Sequence, residues 1–315
     1  MLWKLRHIAG ALLAACAATS PASADLNVVV TIKPLHALVS HVMAGAGTPE
    51  LLVKGSASPH TYALKPSDAS RLNQADIFFR MSEAMEPFTA KIAKSLPKQV
   101  QVITLQSTKG LQLYPRRTGA TFADGHDHGH GDHAHKHAHG HDSTDGHSWL
   151  DPVNAKVLVD RIAQVLAAQD PPKAALFNAN AAALKTKLDD LAAELARDLA
   201  PVADKPYIVF HDALQYFERR FKLRVAGAIS MSPEVAPSAK RLTTLRAKVT
   251  SLGAVCVFAE PQFDTRLVNN LVEGTRARTG TIDPEGSKID AGPDLYFTLL
   301  RTLANDLKAC LAQAG

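Results

Sequence analysis

Leu26-Asn27-Val28-Val29-Val30-Thr31-Ile32-Lys33-Pro34 is the stretch that decides the fold. Its β-branched run is continuous rather than alternating, so it reads as a short strand buried on both faces. Lys33-Pro34 then leads into a helix over about Leu35 to Met43, with proline placed where a first turn accepts it. The same pattern recurs downstream. Leu51-Leu52-Val53, Ile77-Phe78-Phe79-Arg80-Met81 and Val100-Gln101-Val102-Ile103-Thr104 read as three further strands. Helical stretches between them start at Pro66-Ser67-Asp68 and run from Met85 to Ser95. Strands alternating with helices imply a parallel sheet covered on both faces.

Further along, Asp151-Pro152 opens a helix with Val157, Leu158, Ile162, Val165 and Leu166 on one face, and Asp170-Pro171-Pro172 interrupts it. A second helix is predicted from Lys173 to Leu199, with Leu184, Leu188, Leu191, Leu195 and Leu199 at three- and four-residue steps. At 1.5 Å per residue it spans roughly 40 Å, more than one lobe needs. It is expected to tie two lobes together, although periodicity alone does not separate that role from an ordinary core helix. The strand–helix alternation then resumes. Strands are expected at Tyr207-Ile208-Val209-Phe210, Phe221 to Gly227, Ala254 to Glu260 and Gly280-Thr281-Ile282-Asp283. Helices are expected at Ser238 to Leu252, Thr265 to Thr279 and Leu295 to Leu311. The fold class is therefore α/β: two lobes, each with a mainly parallel four-stranded sheet flanked by helices, joined by a long helix. The expected limits are 25–150 for the first lobe, 151–200 for the helical link and 201–315 for the second lobe.

The start of the chain has a separate purpose. Met1-Leu2-Trp3-Lys4-Leu5-Arg6-His7 is positive, Ile8 to Ala18 is apolar but too short to span a membrane, and Ala22-Ser23-Ala24 is a cleavage site. Residues 1–24 read as a secretory signal. Leu13-Ala14-Ala15-Cys16 is a rival lipoprotein box that would leave Cys16 acylated. Removing the signal takes Lys4, Arg6 and Cys16, so the formal charge falls from +5 by two to +3, a balance that gives no case for nucleic acid. Cys256 and Cys310 remain. In an oxidising compartment they form an obvious pair 54 residues apart, a closure that stabilises by roughly 4 kcal/mol; buried free thiols or soft metal ligands are the alternative.

Within the first lobe's sequence lies Ala123-Asp124-Gly125-His126-Asp127-His128-Gly129-His130-Gly131-Asp132-His133-Ala134-His135-Lys136-His137-Ala138-His139-Gly140-His141-Asp142, with eight imidazoles in sixteen residues. It has no large apolar side chain to fold on. The histidines 126, 128, 130, 133, 135, 137, 139 and 141 suit zinc, copper or nickel better than calcium or magnesium. This loop, 124–147 in full, reads as an auxiliary metal collector.

In open parallel sheets, ligands gather beyond the carboxyl ends of the strands. His60 follows the Leu51 strand, His147 closes the first lobe, His211 ends the Tyr207 strand and Asp283 ends the last one. The histidines stand 87 and 64 residues apart, so only folding can bring them together. Singly, a histidine at a strand end is more often a hydrogen-bonded structural residue than a ligand. His36 and His41, on the early helix, read as surface residues.

Four segments carry a resemblance: Gly55-Ser56-Ala57-Ser58-Pro59-His60-Thr61-Tyr62-Ala63-Leu64-Lys65-Pro66-Ser67-Asp68, His147-Ser148-Trp149-Leu150-Asp151-Pro152, Phe210-His211-Asp212-Ala213-Leu214-Gln215-Tyr216-Phe217 and Phe258-Ala259-Glu260-Pro261-Gln262-Phe263. Together they resemble the zinc-binding periplasmic component of bacterial ABC-type zinc importers, the ZnuA type. The resemblance implies the cluster A-I fold of metal-binding periplasmic proteins, with metal held in the cleft between the lobes. It also implies that His60, His147 and His211 are zinc ligands and that Cys256 and Cys310 are disulfide-bonded. Manganese-carrying relatives place a carboxylate where this chain has His211, and three neutral imidazoles favour zinc. Some zinc members have an acidic residue before the first ligand, where this chain has Pro59. A water or Asp283 is therefore expected as the fourth ligand, with Asp283 holding a ligand histidine by its second nitrogen as the alternative. Glu260 is expected to support the site from behind rather than to act as a catalytic base.

The resemblance further implies a periplasmic, monomeric protein that captures zinc and delivers it to an inner-membrane ABC permease. The chain has no nucleotide-binding Gly-rich motif of its own. A zinc store or chaperone and a metal-binding adhesin of the same fold are the alternatives. A secreted zinc hydrolase lacks support, for there is no His-Glu-x-x-His helix and no nucleophile elbow.

Overall fold

The computed structural model describes residues 25–119, 121–122, 144–231, 236–253 and 255–312. The expected signal segment 1–24, with Cys16, and the histidines between 126 and 141 lie outside the described residues. Two sheets organise the chain. Strands β1 (Val28–Val30), β2 (Glu50–Leu51), β3 (Ile77–Arg80) and β4 (Gln101–Thr104) form the first, in the order β2-β1-β3-β4 and all parallel. Strands β5 (Tyr207–His211), β6 (Val225–Ser230), β7 (Cys256–Ala259) and β8 (Arg278–Thr281) form the second, in the order β6-β5-β7-β8 and again all parallel.

Successive side chains on a strand point to opposite faces, and the burial obeys that alternation. Val28 and Val30 of β1, Ile77 and Phe79 of β3, Tyr207 and Val209 of β5, and Cys256 and Phe258 of β7 all join one core shared by the two lobes. Val29 and Phe78 turn to the opposite face, where α2 (Pro66–Asn73) and α3 (Thr89–Ser95) cover them through Leu72 and Ile92. In the second lobe, Ile208, Phe210 and Val257 turn likewise towards α7 (Ala239–Leu252) and α8 (Arg266–Val272).

The shared core is completed by α1 (Lys33–Val42), α4 (Pro152–Gln169), α5 (Ala174–Leu199), α6 (Gln215–Phe221) and α9 (Leu295–Leu311). Pro152 opens α4, and Asp151 caps it by accepting from the Val153 N–H at 2.9 Å. The 26 residues of α5 span roughly 39 Å and link the lobes. Near its start, Asn180 Nδ2 donates to Val42 and Ala44 carbonyls of the first lobe, while Glu194 and Asp198 near its end pair with Arg301 and Lys308 of α9. From Phe177 and Ala181 through Leu184, Leu188, Leu191 and Leu195 to Leu199 one stripe is buried, while Leu176 in the first turn is exposed.

Several boundaries differ from expectation: the helix expected from Met85 starts only at Thr89, and the strands expected at Leu51 to Val53 and Gly280 to Asp283 run over Glu50–Leu51 and Arg278–Thr281. The strand expected from Phe221 begins later: Phe221 ends α6 and Lys222 turns left-handed at φ 55°, so β6 starts only at Val225. The helix expected from Thr265 to Thr279 ends at Val272, because Gly274 takes φ +72° and frees the chain to enter β8 at Arg278. The open question about the cysteines resolves as a disulfide: Cys256 of β7 is bonded to Cys310 of α9, with Cα atoms 6.2 Å apart. Among the described residues, no helix is long and apolar enough to cross a membrane.

Candidate metal centre

His211 is the last residue of β5 and continues the parity of Tyr207 and Val209, which directs it into the cleft. His147 precedes a single 3-10 turn, Ser148–Leu150, that feeds α4. His60 stands in the loop between β2 and α2. The ligand-capable atoms of these three side chains all lie within 4.8 Å of one another. His147 and His211 approach most closely, Nε2 to Nε2 at 3.4 Å. The ring centroids of the three pairs are 5.3, 5.4 and 5.7 Å apart, so the rings converge on one point rather than stack. A cavity of ≈ 30 Å³ opens among them, lined also by Met85, Arg116, Asp212 and Met231.

A tetrahedral zinc ion with zinc–nitrogen bonds of about 2.05 Å places its ligand nitrogens about 3.3 Å apart. The 3.4 Å between His147 and His211 already meets that distance.

Both of these rings are held from behind. Asp145 Oδ1 lies 2.7 Å from Nδ1 of His147 and accepts the His147 backbone N–H at 3.0 Å. Glu260 Oε1 does the same for His211, at 2.6 Å from Nδ1 and 3.1 Å from the backbone nitrogen. A carboxylate on Nδ1 fixes that nitrogen as the protonated one and leaves Nε2 as the lone-pair donor. The electrostatics divide the three rings differently. Burial, then the neighbouring His147 and His211 and then Arg116, holds His60 well below 6.5. Burial and then His211 hold His147 well below it too. Burial also pulls His211 down, but Glu260 outweighs it and leaves His211 above 6.5. Burial pushes Asp145 up to about 6. Two rings are thus biased towards the neutral form and the third towards the protonated one.

The structure brings together the three histidines read from the sequence and leaves Asp283 out of the group. Asp283 accepts from the backbone N–H groups of Glu285, Gly286 and Ser287, from Ser287 Oγ and from Gln262 Nε2. Its oxygens are occupied in closing the turn after β8, and the role of holding a histidine falls to Asp145 and Glu260. The expectation that His36 lies on the surface is corrected. It is buried at 7% exposure, with Nε2 3.0 Å from the Pro49 carbonyl, because α1 is packed on several sides by α4, α5 and α9. His41 is partly buried, edge-on to Phe297. Sequence reasoning misses Asp145, whose Asp-Gly-His setting merges with the repetitive stretch before it. It also misses Lys33, whose ammonium donates to the carbonyls of Gly286, Ser287 and Ile289 and so joins the first lobe to the second.

A family model described as "Zinc-uptake complex component A periplasmic" matches residues 28–310. The chain is similar to the High-affinity zinc uptake system protein ZnuA of Brucella suis biovar 1, at 47% identity over 97% of this chain and 98% of that protein. It is similar to the protein of the same name from Haemophilus ducreyi, at 36% identity over 96% and 97%. Among solved structures, a crystal structure of ZnuA superposes with a TM-score of 0.75 at 24% identity, covering 91% of this chain and all of that one. The laminin-binding protein Lbp of Streptococcus pyogenes superposes at 0.71 with 22% identity, covering 92% of this chain and all of that one. At such identities the likeness is one of fold.

Proposed function

The chain belongs to the family of periplasmic zinc-uptake components A, and from that membership we propose that it binds zinc between its lobes as cargo, through Nε2 of His60, His147 and His211, and delivers it to an ABC importer. The observation that carries the ligand assignment is the convergence of three distant imidazoles within 4.8 Å of one another, two of them backed by carboxylates and 3.4 Å apart, the spacing one small borderline cation requires. A donor set of three imidazoles suits zinc better than manganese, which prefers oxygen. Solvent completes the tetrahedron from the cavity side.

Capture has to be tight, since a nanomolar dissociation constant corresponds to about 12 kcal/mol. Release has to come from small movements. The lobes are joined by α5, by Lys33 on the 286–289 turn, by the Tyr296 hydroxyl donating to the Trp149 carbonyl at 2.6 Å and by the fork of Arg220 on Asp151 at 2.7 Å. Docking on the permease shifts the lobes far enough to break the coordination. The protein acts as a monomer, with lobes at 25–150 and 201–315 and the helical link between. Its signal is removed after Ala24, and the histidines from 126 to 141 hold additional, weaker ions.

Metal analysis and isothermal titration of the mature protein test the assignment. One tight zinc per chain is expected, lost in His60→Ala, His147→Ala and His211→Ala and kept when residues 124–143 are deleted. Several equal weak sites, or loss of the tight site with the deletion, would refute it.

A further inference from the structure

Between β4 and α4 the chain crosses to the second lobe and returns. The Tyr114 N–H donates to the Tyr216 hydroxyl at 3.1 Å, Gln215 Nε2 donates to the Pro115 carbonyl at 3.1 Å, and the Phe122 N–H donates to the Ala226 carbonyl at 2.9 Å. Thr121 forms a bridge to Gly227 on the edge strand β6. In the middle of this strap Arg117 inserts its guanidinium, 17% exposed, between two carboxylates that are 4% and 2% exposed. Its Nε donates to both oxygens of Asp212 at 2.9 and 3.0 Å, and a terminal nitrogen donates to Asp212 and, at 2.8 Å, to Glu218 of α6. The guanidinium also lies 4.0 Å from the centre of the Phe122 ring.

A buried ion cluster of this kind is a poor device for stability alone, because desolvating the charges consumes much of what their attraction returns. It does fix geometry: a planar fork on a carboxylate permits one orientation. The carboxylate it fixes belongs to Asp212, the chain neighbour of His211, and both residues line the cavity. His211 is therefore restrained twice, by Glu260 on its ring and by Arg117 through the adjoining backbone.

We propose that Arg117 is a positioning residue for zinc retention: through Asp212 it holds His211 against His60 and His147, and thereby sets how fast the ion leaves. The strap comes from the connection after the first lobe's sheet, whereas Asp212 and His211 belong to the second, so a movement that separates the lobes must loosen the clamp as it loosens the ligand. The proposal rests on the three-imidazole reading.

The test loads the full mature protein with one zinc and monitors its transfer to an excess of a chromogenic chelator. Arg117→Ala and Asp212→Asn are expected to raise the dissociation rate about 10-fold or more, the scale of effects seen for groups that orient metal ligands. Arg117→Lys keeps the charge without the fork and is expected to fall close to Arg117→Ala. Arg301→Ala, which removes the exposed pair with Glu194, is expected to keep the wild-type rate. The visible spectrum of the cobalt(II) form, which reports ligand geometry, should shift in Arg117→Ala and Asp212→Asn and stay unchanged in Arg301→Ala. A folded Arg117→Ala with the wild-type rate and cobalt spectrum, even with a lower melting temperature, would overturn the proposal. If Arg117→Ala fails to fold, Arg117→Lys and Asp212→Asn decide by the same criteria. Should tight zinc binding persist in all three histidine variants, the ligand assignment itself has failed, an outcome distinct from a null result at Arg117.

Discussion

His147 and His211 present their Nε2 atoms to each other at 3.4 Å while each offers Nδ1 to a carboxylate, Asp145 at 2.7 Å and Glu260 at 2.6 Å. The carboxylates raise the basicity of the ligating nitrogen and stop the ring from turning. Glu260→Gln and Asp145→Asn keep the shape but remove the charge, and each is expected to weaken zinc binding by about 10- to 100-fold while one ion per chain still binds. Competition against a chelator of known affinity measures this. Unchanged affinity in both variants would mean that the carboxylates only fill space.

The three imidazoles titrate apart, and this sets the proton balance of binding. His60 and His147 are held well below 6.5, so at neutral pH they meet zinc already deprotonated. His211 is held above 6.5 by Glu260, so at pH 6.5 and below the ring is mostly protonated and that proton must leave when zinc arrives. The sign is therefore fixed: affinity falls as pH drops through the raised value of His211. In the metal-free protein, the stability contributed by protonated His211 is present below 6.5 and lost as pH rises through that same raised value. Near pH 6.5 zinc is expected to release about one proton rather than three. Calorimetric titration in buffers of different ionisation enthalpy counts them. Three protons, or none, would contradict the assigned states.

Much of this arrangement is legible in the sequence, and the failures have physical causes. The order of strands and helices survives because β1, β3, β5 and β7 are buried on both faces and are apolar except for Arg80 and His211 at the ends of β3 and β5. His211 stands out because it ends such a strand, and His60 because it comes after the short edge strand β2. Asp145 does not, since it falls among aspartates and glycines of the same local composition. Phe221 and Leu223 look like strand residues, yet one ends α6 and the other comes after a left-handed Lys222, a choice made by tertiary packing rather than by propensity. Asp283 has the right place in the chain order. The backbone amides of the turn after it claim its oxygens first.

Gly280 sits in β8 directly opposite Phe258 of β7. A Cβ built on Gly280 would stand 2.6 Å from Cε1 of Phe258, whose ring is fully buried in the shared core. Neither partner can yield cheaply, because the ring is enclosed and the strand is paired. Gly280→Ala is expected to cost about 1 to 3 kcal/mol, the usual penalty for overpacking a filled core. Urea unfolding monitored by circular dichroism measures the loss, and a variant as stable as wild type would mean that β8 slides outward at no cost.

Cys256 and Cys310 tie β7, a central strand of the second lobe, to α9, the helix that closes the shared core. The bond closes a loop with a separation of 54 residues, and a closure of that length restricts the unfolded chain by about 4 kcal/mol. Both sulfurs lie on the side of the second lobe that faces α9, and neither cysteine lines the cavity among His60, His147 and His211. Reduction, or the double substitution Cys256→Ala and Cys310→Ala, is therefore expected to lower the melting temperature of the metal-free protein markedly. Zinc stoichiometry at 25 °C should stay at one tight ion, because the native cleft is built from contacts the bond does not make. Scanning calorimetry with and without zinc separates the two effects: zinc adds stability through binding to the native state alone, so its increment should be the same in oxidised and reduced protein. A reduced protein that melts like the oxidised one would show that packing of α9 on β7, rather than the covalent link, already limits the unfolding of this lobe.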